Sequence, residues 1–139
     1  RLKAYTVLLV LLMGVFVFLL ATRTEIEATL LRAPGQMYQQ TETTVSNLYN
    51  FELVNKTFHS VPVTLSLEKL EGAKIVMVGA NGGKINVDKE SVYKGTFFIE
   101  LPKGNVKRNN SVVIIDVVAD GERIDRIKTS FLAPVKIEE

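Results

Sequence analysis

His59 is the sole histidine of this 139-residue chain, and cysteine is absent. With Met37 or Met77 it could bind copper, a soft metal that accepts imidazole and thioether ligands. The plainer account is a solvated loop histidine and two packing methionines. A metal site needs several convergent ligands, and spacing alone supplies no convergence. The lack of cysteine excludes disulfides, thiolate nucleophiles, zinc-thiolate sites and cysteine-bound iron-sulfur clusters within the chain. Asp116 interrupts the most apolar stretch, where a carboxylate could carry a shifted pKa. No second acid, histidine or thiol accompanies it, so it is read as a solvent-facing residue and no catalytic set is predicted.

Two further groups could recognise a partner. Pro102 to Asn110 (PKGNVKRNN) is the most basic stretch after the N-terminal segment. It could touch anionic headgroups or an acidic protein, although a solvated loop explains it as well. Tyr49, Phe51, Tyr93, Phe97 and Phe98 could form an aromatic surface, but their alternation fits a core better. From Thr24 onward the chain holds 14 Lys+Arg against 15 Asp+Glu, a net charge of −1. That balance does not suit a nucleic-acid binder, which needs clustered cations to displace phosphate counterions. No small-molecule substrate is indicated.

The elements that would carry these residues fall into two regions, 1–23 and 24–139. Ala4 to Ala21 is an uncharged run of eighteen residues. As a helix it is about 27 Å long, close to a bilayer's hydrocarbon core, so residues 4–21 are read as contacting membrane lipid. Arg1, Lys3 and Arg23 flank it, and Tyr5 stands near one end. A secretory signal shares this pattern, but Thr22-Arg23-Thr24 gives no clear small-x-small cleavage site. The run is apolar all round, unlike a helix of a soluble domain. Flanking charges tie, with Arg1 and Lys3 on one side and Arg23 and Arg32 on the other, so charge leaves the orientation open. The chain starts at Arg1 rather than Met and is read as part of something longer.

Beyond Thr24 the pattern changes to short runs rich in Val, Ile, Thr, Phe and Tyr, closed by Gly, Asn or Pro. Glu25 to Arg32 places Ile26, Ala28 and Leu30 on one face, and Ala33-Pro34-Gly35 ends it. Val45 to Asn55 places Val45, Tyr49, Phe51 and Leu53 together; Asn55-Lys56-Thr57 then turns the chain. Val61, Val63, Leu65 and Leu67 alternate with Pro62, Thr64 and Ser66. Ile75 to Val78 and Ile85 to Val87 flank Asn81-Gly82-Gly83 and are expected to form a hairpin. Val92 to Leu101 aligns Tyr93, Phe97, Ile99 and Leu101, with a bulge expected at Gly95. Val112 to Ala119 reads as a central strand covered on both faces for part of its length. Asp120-Gly121 then predicts a type I′ hairpin into Glu122 to Phe131. About seven strands with no helical pattern between them predict an all-β, immunoglobulin-like antiparallel β-sandwich, with a small barrel as the alternative.

Several segments resemble the C-terminal part of the FixG/CcoG family of cytochrome c oxidase accessory proteins. They are Arg1-x-Lys3-Ala4-Tyr5, Ala21-Thr22-Arg23-Thr24, Leu30-Leu31-Arg32-x-x-Gly35 with Tyr38, Asn47-Leu48-Tyr49, Val54-Asn55-Lys56-Thr57 and Phe131-Leu132-Ala133-Pro134. The Arg32-Ala33-Pro34-Gly35 turn departs from the acidic-basic pair of that family. The resemblance implies a final transmembrane helix followed by a periplasmic immunoglobulin-like domain, at the bacterial inner (cytoplasmic) membrane. It also implies 4Fe-4S clusters and cupric reduction in an N-terminal part that this chain lacks. The expected role is then non-catalytic: a membrane-anchored binding or structural domain engaging oxidase subunits or assembly factors. A copper-binding ectodomain built on His59, Met37 and Met77 is the alternative, and an unrelated exported adhesin-like module is a third reading.

Overall fold

A computed structural model describes residues 1–35, 37–79 and 83–134. Helix α1 covers Leu2–Ala21 and buries none of its residues. It is long and apolar enough to cross a membrane, with a mean hydropathy of 2.7. Its last turn closes at Thr22, whose Oγ1 donates to the Phe18 carbonyl at 3.0 Å.

The described residues then form nine strands: β1 (Ile26–Arg32), β2 (Gln39–Gln40), β3 (Thr44–Asn55), β4 (Val61–Glu68), β5 (Lys74–Met77), β6 (Lys84–Val87), β7 (Val92–Pro102), β8 (Asn110–Ala119) and β9 (Glu122–Leu132). One sheet runs β1-β3-β7-β5, with β2 also pairing β3; the other runs β6-β4-β8-β9. Every pairing is antiparallel. This is the immunoglobulin-like sandwich that the alternation predicts. Its interior is filled by period-two positions from both sheets, among them Val45, Tyr49, Phe51 and Leu53 of β3, Phe97, Ile99 and Leu101 of β7, and Val113, Ile115 and Val117 of β8. The rings of Tyr49 and Phe97 stack with centroids 5.5 Å apart, and Phe51 lies 5.7 Å from Phe97. Of the five aromatics weighed as a recognition surface, Tyr49, Phe51 and Phe97 are buried, and Tyr93 and Phe98 are half-buried.

Three expectations need correction. The hairpin across Asn81-Gly82-Gly83 does not form, because β5 pairs β7 in one sheet and β6 pairs β4 in the other; Asn81 and Gly82 themselves lie outside the described residues. Glycine-rich sequence marks a sharp change of direction, but pairing is decided by which sheet edge is free. Every connection from β3 to β8 crosses between the sheets. Gly95 is not a bulge either: β3 and β7 stay in register throughout, and the irregularity falls at Val117/Val118. Gly95 sits opposite Phe51, and a Cβ there would come within 2.5 Å of that ring. The glycine makes room for an aromatic. Lastly, Asp116 does not face solvent. It is 6% exposed, on the outer side of a strand whose inner side is core.

Candidate functional site

The sandwich has two distinct ends. At one, Ala21 is joined to Ile26 by four residues, so α1 and the start of β1 are neighbours. The β3–β4 and β6–β7 connections lie at this end. At the other, Lys103 N donates to the Thr43 carbonyl at 2.9 Å, and the β4–β5 and β7–β8 connections meet. The 12 residues of β3 separate the ends by about 40 Å.

A cleft of about 720 Å³ opens between the connections at the far end. Lys69, Leu70 and Glu71 form one wall; Asn105, Lys107 and Arg108 stand on the other. Asn105 Nδ2 donates to the Glu71 carbonyl at 3.1 Å and holds the walls together. Val106 is buried beneath, which fixes the backbone of the basic loop. Among the described residues, Lys69, Lys107 and Arg108 belong to no ion pair. Three cations against Glu71 therefore give the cleft a positive field, available to an acidic partner. The basic stretch noted in the sequence is thus one wall of a cleft whose other basic residue, Lys69, comes from a different connection. It also lies at the end remote from α1.

The residues weighed as copper ligands are kept apart. His59 is exposed in the β3–β4 connection. Met77 sits on β5 at the level of Phe97 and Tyr49, six residues along β3 from Asn55, about 20 Å away. Met37, 72% exposed, lies in the β1–β2 connection at the opposite edge of that sheet, where Arg32 donates to its carbonyl. Among the described residues no three His, Cys, Asp or Glu side chains gather as a metal site. An iron-sulfur cluster does not fit this chain, which has no thiolate to hold one.

Asp116 anchors an ion network. Arg126 Nε donates to its Oδ1 at 2.9 Å, Arg126 also bonds Glu68 Oε2 at 2.8 Å, and Arg123 stands 3.9 Å from Oδ2. The Arg126 hydrogen bond holds the Asp116 carboxyl below the usual carboxylate range, against the opposing effect of burial. The network joins β4, β8 and β9 across the outer face of their sheet.

A family profile described as the immunoglobulin-like fold at the C-terminal end of FixG, a candidate oxidoreductase, matches residues 16–134. The chain belongs to the FixG C-terminal family. A crystal structure of a FixG-related protein from Vibrio parahaemolyticus superposes with a TM-score of 0.70 at 12% identity, covering 80% of this chain and 98% of that one. At that identity the likeness concerns the fold alone. The GAE domain of yeast GGA1 covers 82% of this chain and 95% of its own at 11% identity, but its TM-score of 0.30 carries no argument. No match was found among curated proteins.

In this FixG-type domain, two of the segments behind the resemblance prove to be fastenings between the sheets. Asn47, 1% exposed, donates from Nδ2 to the Leu132 carbonyl (2.7 Å) and accepts from Leu132 N (3.0 Å), bridging β3 to β9. Tyr49 donates its hydroxyl to the Ser130 carbonyl at 2.7 Å. Burial pushes its pKa up to about 12. At the other end of β3, Asn55 Nδ2 reaches the carbonyls of His59 (2.8 Å), Val87 (3.1 Å) and Asp88 (3.0 Å). Its two protons serve three acceptors, so one bond is shared. Asn55 Oδ1 accepts from Thr57 N and Thr57 Oγ1. Among the described residues no buried side-chain nitrogen or oxygen lacks a partner. Sequence reading took Asn55 for a turn residue and passed over Asn47. The available signal was that both share the inward parity of Tyr49, Phe51 and Leu53.

Proposed function

We propose that this chain is the membrane-anchored ectodomain of a FixG-type cytochrome c oxidase accessory protein. In this reading α1 crosses the bacterial inner membrane and the sandwich stands in the periplasm. The basic cleft receives an acidic surface of an oxidase subunit or assembly factor. The domain performs no chemistry; iron-sulfur redox chemistry belongs to the part of the protein before Arg1. The observation that carries the reading is the polarity of the sandwich. An apolar helix of 20 residues enters at one end, and unpaired cations line a cleft at the other. A tethered module of this shape presents its charged end away from the surface that holds it.

The test is removal of residues 24–139 from the full-length protein, with α1 retained. Loss of assembled oxidase and of its bound copper is expected. Normal oxidase assembly and copper content in that deletion would count against the proposal.

A further inference from the structure

Phe58 is the most exposed large apolar side chain of the β domain among the described residues, at 82%. Its turn is not loose. Thr57 is buried and shares its one hydroxyl proton between Asn55 Oδ1 at 2.7 Å and the His59 carbonyl at 2.9 Å; Asn55 Nδ2 bonds the same carbonyl at 2.8 Å. Glu90 N donates to the Thr57 carbonyl at 3.0 Å, tying in the β6–β7 connection. The residues on both sides of Phe58 are therefore fixed, and the ring is held in water at a cost that apolar surroundings would remove.

The same turn is fastened to the root of the helix. Lys56 N donates to the Glu25 carbonyl at 2.9 Å. Ala21 ends α1, so the helix end and that bond are separated by at most about 14 Å of extended chain. A spanning helix ends at the headgroup layer, which is about 5–7 Å thick on each side of the hydrocarbon. The turn lines one recess with Leu20 and Ala21 of the helix, which brings it to that layer. Arg23 lines the same recess as Phe58 and the end of α1, at the height where lipid phosphates would lie; Lys56 and Glu25 line it too, with Lys56 paired to Glu27 at 2.7 Å.

We propose that Phe58 seats in the lipid interface beside α1, making the β3–β4 turn a second membrane contact that sets the stance of the domain. The occupant is bilayer lipid: the ring meets the boundary between headgroups and acyl chains, as the apolar residues of interfacial segments do. The inference rests on the reading of α1 as a membrane span, and the experiment separates the two.

The chain has no tryptophan, so single-tryptophan variants report cleanly. Phe58→Trp, Phe18→Trp and Leu31→Trp are each prepared in the full chain and reconstituted into phosphatidylcholine vesicles, with and without brominated acyl chains. Phe18 tests the span, and Leu31, exposed on the outer face of its sheet, tests whether the domain lies flat. Brominated lipid is expected to quench the tryptophans at 18 and 58, with emission at shorter wavelength, and to spare the one at 31. Quenching at 18 with position 58 open to aqueous iodide overturns the inference and leaves the span standing. Equal quenching at 31 and 58 overturns it in favour of a domain lying on its side. No quenching at 18 removes the span and this inference together.

Discussion

Asn47 uses both polar atoms of its amide on one residue of the opposite sheet, meeting Leu132 as a neighbouring strand would. Asn47→Ala would leave a backbone donor and an acceptor without partners in a largely dry place. A loss of about 2 kcal/mol or more is expected, read as a lower urea midpoint with an unchanged slope. Tyr49 gives a test with a pH signature. Its hydroxyl is buried and its pKa stands near 12, raised from an ordinary 10. A group raised on folding stabilises the native state below its unfolded value and loses that contribution as pH climbs toward the folded one. Stability should therefore fall between about pH 10 and pH 12. Tyr49→Phe should flatten that limb while costing about 1 kcal/mol at neutral pH, from the lost bond to Ser130. A limb unchanged in Tyr49→Phe would show that another group is responsible. Period-two alternation made the inward parity of these side chains legible. Their partners were not legible, because Ser130 and Leu132 are more than eighty residues away in sequence and become neighbours only when the sandwich closes.

Elements were readable in proportion to how local their causes are. The β8–β9 hairpin follows from two adjacent residues: Asp120 at φ 49 and Gly121 at φ 82 supply the two positive angles that a type I′ turn demands. The β5 and β6 strands were found, but their partners lie on free edges of opposite sheets, which no local signal encodes. Gly95 was noticed for the wrong reason, since its cause is a ring on the neighbouring strand. Gly95→Ala should drive a methyl group into Phe51 and cost about 1–3 kcal/mol, the usual range for overpacking, with Phe51→Leu in the same chain recovering part of the loss. The network on the outer face of the second sheet gives an acid limb. Because Arg126 depresses the Asp116 pKa, its stabilisation is present above the ordinary carboxylate range and is lost as pH falls through the folded value. Asp116→Asn is expected to lower stability at neutral pH and to make the decline below about pH 4 shallower. Denaturant midpoints measured across that range check both parts.

At the scale of the molecule, the two sheets act as a spacer with unlike ends. The fastenings at Asn47, Tyr49 and Asn55 distribute along β3, so the spacer is clamped at both extremities and holds its ends at a set distance. The fold class followed from the period-two hydropathy after Thr24. The cleft did not, because Lys69 and Arg108 are brought face to face only by the crossing of β4 and β7 into the β4–β5 and β7–β8 connections. Binding there by an acidic partner is a surface interaction, in which each ion pair contributes about 0.2–1 kcal/mol and is screened by salt. Lys107→Glu with Arg108→Glu replaces two attractions by two repulsions, so affinity for the partner should fall by about tenfold or more at low salt. The wild-type affinity should itself decline as salt is raised. Both side chains are exposed, so the urea midpoint should not move. Capture of oxidase subunits by the immobilised full-length protein, compared across salt concentrations for wild type and the double variant, measures this. Equal capture by the two would place the interaction on another face, the first to examine being the outer side of the β1-β3-β7-β5 sheet, where Leu31 and Val76 stand exposed.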